Sequence, residues 1–208
     1  MKTVKIPSEG YGSNCWLLIS GDEFVIIDPS SPIEAVLARL EQRGLKKENL
    51  KYVLLTHGHF DHIYSADDIR DITGAPLCVH RADSDCLTTD KNQHKYFFRQ
   101  ELLFRPAECE LSDKDEIFFG DEKLTVLHTP GHTKGSVCYI SDDAVYSGDT
   151  LFDMGVGRTD LYGGDASELL NSLGKLKNFP GTLSLYPGHG SISTLQKQFE
   201  FNPYLKGI

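Results

Sequence analysis

The stretch YVLLTHGHFDH, residues 52–62, places three histidines and one aspartate within six positions: His57, His59, Asp61 and His62. They follow an apolar run, Tyr52-Val53-Leu54-Leu55, whose length and composition predict a buried strand. A chain that leaves its core and at once presents imidazoles and a carboxylate offers the donor types that zinc, iron and manganese accept. His57 and His59 are two apart, so in extended backbone they share a face. Asp61 and His62 follow after a bend.

The same arrangement recurs. VLHTPGH ends at His132, LSLYPGH at His189 and VYSGD at Asp149. Four predicted strands therefore end by presenting a ligand-type residue next to a glycine. Ligand sites in α/β folds lie beyond the carboxyl ends of strands, and glycine lets the backbone approach what is bound there. Alone, a Pro-Gly turn carrying a histidine is an ordinary turn, and Asp149 reads equally well as a turn or cap residue. Their position after the HxHxDH segment turns them into candidate ligands.

Strands and helices alternate along the rest of the chain. Segments 15–20 and 23–30 read as strands joined by a tight turn at Gly21-Asp22. Residues 31–44 read as a helix, with Ser31 at the N-cap, Pro32 at the first helical position and Gly44 after its end. Strand 51–55, a helix over about 62–73 and strand 76–80 follow. The segment 88–107, containing HKYFFRQELLF, does not declare itself as helix or loop. Four strands come next (115–120, 122–129, 135–141, 143–149), then helix 165–178, strand 183–188 and a short helix 193–201. Trp16, Phe118 and Phe119 are expected in the core, His80 in a structural role, His128 in support near His132, and His94 at the surface.

The 208 residues are 39% hydrophobic and 25% charged, with a formal net charge of -9. That suits one domain spanning 1–208. The acidic balance disfavours a nucleic-acid partner. Five cysteines, odd in number and without a CxxC pair, suit a reducing cytoplasm. The N-terminus lacks the apolar stretch of a secretory signal. No apolar run approaches the roughly 18 residues of a membrane span, so no membrane partner is expected. The oligomeric state is not legible.

HxHxDH, then His132, Asp149 and His189 in that order, resembles the metallo-β-lactamase-fold hydrolases, over nearly the whole chain from IIDPS to YPGHG. The resemblance implies a four-layer αβ/βα sandwich with metals at the sheet edge. It implies that His57, His59 and His132 hold one ion, that Asp61, His62 and His189 hold a second, and that Asp149 bridges them. Two divalent ions are expected, zinc foremost, with iron or manganese as alternatives. Asp28, in VIIDPS, resembles a family aspartate that supports the ligands from outside.

The loop GDTLFDMGVGRTDLYGGD (148–165) resembles that of glyoxalase II-like thioester hydrolases in their short single-domain form. It implies Arg158, and less directly Tyr162, near the thiol part of the substrate. The implied activity is hydrolysis of small-molecule thioesters, S-2-hydroxyacyl-thiols such as S-lactoylglutathione, by a metal-bridging hydroxide oriented by Asp61. Full-length relatives add a helical C-terminal region that contributes to the glutathione site. Only residues 190–208 follow His189 here, so a reduced grip on glutathione is expected.

A mononuclear-iron persulfide dioxygenase is the main alternative, with iron at His57, His132 and Asp149; such enzymes share the HxHxDH pattern and a GRTD loop. A flavo-diiron protein would carry glutamate in place of His59. A nuclease or phosphodiesterase suits the compact acidic chain poorly. So does a secreted β-lactamase, given the N-terminus and the loop after Asp149. A non-catalytic metal-binding module is the remaining alternative.

Overall fold

The computed structural model describes residues 1–8 and 12–206. One six-stranded sheet runs in spatial order β1 (Lys2–Ile6), β2 (Cys15–Ser20), β3 (Glu23–Ile27), β4 (Leu50–Leu54), β5 (Leu77–His80) and β6 (Cys109–Leu111). The first three strands are antiparallel and β3 to β6 are parallel. Helix α1 (Ile33–Gln42) connects β3 to β4 and α2 (Ala66–Thr73) connects β4 to β5; the short α3 (His94–Phe98) lies between β5 and β6.

The second half of the chain supplies β7 (Glu116–Phe119), β8 (Glu122–His128), β9 (Val137–Ile140) and β10 (Ala144–Gly148). The ribbon β11 (Leu151–Phe152) with β12 (Gly155–Val156), helix α4 (Ala166–Leu176), β13 (Ser184–Pro187), β14 (Ser193–Thr194) and α5 (Leu195–Phe201) complete it. The second six-stranded sheet has the order β14-β13-β10-β9-β8-β7, with β10 and β13 parallel across the α4 crossover.

Three apolar layers hold four structural layers together. Leu17, Phe24, Ile26, Val53 and Leu55 of the first sheet pack against Val36, Leu40, Ala66 and Ile69 of α1 and α2. The alternate residues Trp16, Leu18, Val25, Ile27 and Leu54 face the second sheet, meeting Phe119, Val126, Val137, Tyr139 and Tyr146. On its far side the second sheet packs Cys138, Val145 and Leu185 against Leu169, Leu173 and Leu176 of α4. Side chains alternate across a strand, so a strand covered on both faces reads as a nearly unbroken apolar run. That explains the continuity of the run before His57. Each fully buried Leu, Ile or Val contributes about 1.5–3 kcal/mol. This αβ/βα sandwich is the fold expected from the sequence.

Several local expectations need correction. Strand β1 was not anticipated; KTVKI buries only Val4 and Ile6, and its exposed Lys2 and Lys5 mark it as an edge. Pro32, not Ser31, occupies the α1 N-cap, without a side-chain cap. Ser31 Oγ instead donates to the Ile6 carbonyl oxygen at 3.4 Å. Helix α2 starts only at Ala66, because residues 62–65 form the turn that delivers His62. His94 is buried: its Nδ1 meets the Gln100 carbonyl oxygen at 2.7 Å and its ring stacks on Phe98. Phe118 is 59% exposed, since alternation on β7 turns Ile117 and Phe119 inward instead.

Candidate metal centre

The loops after β4, β8, β10 and β13 meet at one end of the sandwich. The Val137 N–H donates to the Thr56 carbonyl at 2.8 Å, joining the two sheets directly behind the HxHxDH segment. Three groups of donors result: His57, His59 and His132; His57, His62 and Asp149; Asp61, His62 and His189. Within each, the candidate ligand atoms lie within 4.8 Å of one another. All seven expected side chains are thus brought together.

Asp149 sits between the two ends, with Oδ2 3.5 Å from His132 Nε2 and 3.6 Å from His189 Nε2. Its Oδ1 is 3.3 Å from His62 Nε2 and has no hydrogen-bond partner among the described residues. Asp61 Oδ2 is 3.2 Å from His189 Nε2.

The surrounding contacts orient the imidazole rings. Asp28 accepts from Thr56 N–H at 2.8 Å and from Thr56 Oγ1 at 2.7 Å, and its Oδ2 lies 2.9 Å from His62 Nδ1. His62 Nδ1 therefore donates to Asp28, which turns Nε2 inward towards Asp61 and Asp149. Because Thr56 Oγ1 gives its proton to Asp28, it accepts from His57 Nδ1 at 3.1 Å, leaving His57 Nε2 a lone pair. His132 Nδ1 donates to the Arg158 carbonyl at 2.7 Å, so His132 Nε2 is also a lone pair. It lies 3.3 Å from His57 Nε2 and 2.9 Å from His59 Nδ1. The Nε2 lone pairs of His57 and His132, 3.3 Å apart, repel unless a cation or a proton lies between them. Outer partners that fix tautomer and ring direction are the usual support of metal-bound histidines. The donor set fits divalent ions on this ground.

The electrostatics of the two halves differ. Burial, and then the neighbouring histidines, hold His57 and His59 well below the ordinary imidazole range. Burial would lower His62 too, but Asp61, Asp149 and Asp28 push it up to about 10. His189 is likewise raised against its burial, chiefly by Asp61 and Asp149. Burial works against the Asp61 charge, yet His62 and His189 hold its carboxyl well below the usual carboxylate range. One half is a pocket of neutral imidazoles, and the other draws positive charge.

Close backbone approach makes two glycines obligatory. A Cβ on Gly188 would stand 2.2 Å from Asp149 Oδ1 and 2.8 Å from His62 Cε1. Gly148, at φ +47°, would meet Thr56 Oγ1 at 2.3 Å.

Two supports were not foreseen. Buried Asp83 accepts from Gly58 N–H at 3.0 Å, Gly135 N–H at 2.7 Å and Thr133 Oγ1 at 2.7 Å, tying the HxHxDH loop to the His132 loop. Asn14 accepts nothing through Oδ1, but its Nδ2 donates to Pro187 and Gly190 carbonyls at 2.9 and 3.1 Å, bracketing His189. The one available signal for Asp83 was its place just beyond the end of β5, another parallel strand of the first sheet.

Above the donors lies a cleft of about 230 Å³. Phe60, Phe97, Phe98 and Leu161 form its apolar walls, and Gln93 and Arg158 also line it. The Arg158 guanidinium pairs with Asp160 through two contacts of 2.6 and 2.7 Å. Tyr162 lies outside this lining, under Lys91 and Lys134 at 5.0 and 5.6 Å. His128 stacks on His80 at 4.0 Å and meets the Lys134 carbonyl at 2.9 Å, so it supports the loop after His132 and not the ring.

A sequence profile of the metallo-beta-lactamase superfamily matches residues 9–189, and the chain belongs to that superfamily. It is 34% identical to the probable metallo-hydrolase YqgX of Bacillus subtilis, over 100% of this chain and 99% of that protein. It is 30% identical to the hydroxyacylglutathione hydrolase GloC of Haemophilus influenzae, with 96% of each covered. Among solved structures, BLEG-1 B3 metallo-beta-lactamase superposes with TM-score 0.93 at 32% identity, over 99% of this chain and 100% of that one. TTHA1623 in a di-iron-bound form gives TM-score 0.82 at 32% identity, over 97% and 100%. Among the described residues no helix is long and apolar enough to cross a membrane.

Proposed function

We propose that this protein is a binuclear metal-dependent thioester hydrolase. The observation that carries the proposal is the pair of donor triads joined through Asp149 beneath a narrow cleft. His57, His59 and His132 would hold one ion, Asp61, His62 and His189 the other, and Asp149 both. Zinc is the first expectation; the similarity to a di-iron protein keeps iron open. Bound divalent ions supply Lewis acidity and bring the pKa of coordinated water from about 15.7 to about 7.

The protein's own groups do the rest. Asp28 and Thr56 hold His62 and His57 through Nδ1, so that each ring turns Nε2 inward. Asp61, which lines the cleft, would orient the attacking water as well as hold metal. Phe60, 7% exposed, would shield the acyl carbon from bulk water on one side of the cleft. Water's oxygen adds to that carbon, and the carbon–sulfur bond breaks with its electron pair on sulfur. One proton ends on the thiol and one in solvent, leaving a carboxylate. Arg158 lines the cleft, but an anionic substrate must compete with Asp160 for it, so glutathione thioesters should bind weakly. Arg158→Ala should raise KM more than it lowers kcat.

The likeness to BLEG-1 B3 metallo-beta-lactamase supports a second reading, amide hydrolysis of a β-lactam. Parallel steady-state assays on S-lactoylglutathione, on lactoyl esters of smaller thiols and on a chromogenic cephalosporin separate the two. Turnover of the cephalosporin alone would replace the thioester proposal.

A further inference from the structure

Strand β5 ends beside the centre without supplying a donor; what it delivers is the buried carboxylate of Asp83, which belongs to none of the three donor groups. His80 closes the strand, and its Nδ1 accepts from the Ala82 N–H at 3.3 Å, capping a short helical turn over Arg81–Cys86. That turn aims Asp83 inward. Its Oδ2 accepts from the Gly58 N–H at 3.0 Å and from Thr133 Oγ1 at 2.7 Å, and its Oδ1 accepts from the Gly135 N–H at 2.7 Å. Hydrogen bonds to an ionised acceptor are the strong ones. The turn meets both loops at backbone distance: a Cβ on Gly58 would stand 2.4 Å from Cys86 Cβ, and one on Gly135 2.6 Å from Asp83 Cγ.

The three donors to Asp83 lie on the two segments that carry one donor triad. Gly58 stands between His57 and His59, and Thr133 and Gly135 follow His132. Within that triad His57 and His132 have outer partners of their own, Thr56 Oγ1 at 3.1 Å and the Arg158 carbonyl at 2.7 Å. His59 differs. Its Nδ1 faces His132 Nε2 at 2.9 Å, and its buried Nε2 has no hydrogen-bond partner among the described residues. No outer hydrogen bond grips this ring, so its direction follows from the backbone at Gly58, which Asp83 holds. The other triad relies on different groups. Asp28 fixes His62 at 2.9 Å, and Asn14 brackets His189 through the Pro187 and Gly190 carbonyls.

We propose that Asp83 is a positioning residue for one of the two ions. It sets the affinity of the site formed by His57, His59 and His132 and leaves that of the site formed by Asp61, His62 and His189 unchanged. The proposal rests on the two-ion reading of the centre but is testable apart from it. Asp83→Asn keeps a single carbonyl oxygen. With that oxygen in the place of Oδ2, the amide N–H₂ faces the Gly135 N–H; with it in the place of Oδ1, the amide faces Gly58 and Thr133. Either way one loop is released.

Zinc affinity is measured by competition against a fluorescent chelator in two backgrounds. His189→Ala leaves the first triad whole, and His59→Ala leaves the second. Asp83→Asn should weaken zinc binding by about 10–100-fold in the His189→Ala background, the scale for losing an outer support, and should leave it unchanged in the His59→Ala background. Thr133→Val, which removes one of the three donors, should weaken the first site severalfold, and Thr133→Ser, which keeps the hydroxyl, should bind as the parent does. The Thr133 pair decides the matter if circular dichroism shows metal-free Asp83→Asn to be unfolded. Equal weakening in the two backgrounds, or none in either, would overturn the positioning role while leaving the two-ion reading intact. Failure of the His59→Ala background to bind zinc with Asp83 present would overturn the two-ion reading, and a tenfold loss in His189→Ala would still uphold the role of Asp83.

Discussion

Asp28 does more for the centre than any residue outside the seven donors. Buried at φ +51°, it fixes His62 through Nδ1 and takes both protons offered by Thr56, which in turn orients His57. Asn in its place presents an N–H₂ to one of three donors and cannot satisfy all. Asp28→Asn is therefore expected to weaken metal binding by about 10–100-fold, the usual effect of losing an outer partner. Competition against a fluorescent chelator measures this, and unchanged affinity would deny Asp28 its orienting role. The seven donors were legible because their residue types and order are chemically distinctive. Asp28 was legible only through the family resemblance. Asp83 was not legible: an aspartate in HRADSDC differs in no local way from its neighbour Asp85, and only the folded chain brings Gly58, Thr133 and Gly135 to it.

At the scale of elements, the buried strands and the last short helix were read well, while strands β1 and β6 and helix α3 were not. The runs that became β2 to β4 are buried on both faces, so their composition alone identifies them. Strand β1 and helix α3 are edge and lid-like pieces whose form depends on distant contacts, such as Phe60 with Asn92. The β5 end illustrates a further long-range effect. Burial first, then His128 and Arg81, hold His80 down to about 4. An unfolded histidine titrates near 6.5. Between those values the unfolded chain takes up a proton that folded His80 refuses, so this group lowers stability as pH falls from 6.5 towards 4 and has no effect above 6.5. Urea midpoints for wild type and His80→Gln, measured from pH 7.5 to 4.5 at fixed metal, test this. The advantage of the wild type should shrink across the window; a constant gap would show that His80 does not titrate as its surroundings require.

For the whole molecule, the site is where the two sheets are joined at one end. Donors from the first half (His57 to His62) and from the second (His132, Asp149, His189) meet across the interface that also buries Trp16 and Tyr139. Metal bound there bridges the halves, so it should stabilise the fold as any ligand specific to the native state does. At free metal about 100 times Kd the gain is about 2.7 kcal/mol, which for a chain of this size raises Tm by on the order of 5–10 °C. Calorimetric scans with and without a strong chelator should differ by that amount, and superimposed scans would mean that metal does not join the halves. The overall sandwich was legible through the family resemblance that the ordered ligand motifs carry, and the apolar strand runs agree with it. The cleft was not: Phe60 and Phe97 are 37 positions apart, and nothing local to either announces the other.

The proposed thioester hydrolysis requires two ions held by these seven residues. The direct test is metal titration of protein purified without added metal, with elemental analysis, thioester turnover and oxygen uptake on a glutathione persulfide followed on the same samples. The account predicts turnover that rises until two ions are bound per chain, with no oxygen consumed, and loss of both binding and turnover in Asp149→Ala. One iron per chain, oxygen consumption and no thioester turnover would contradict it.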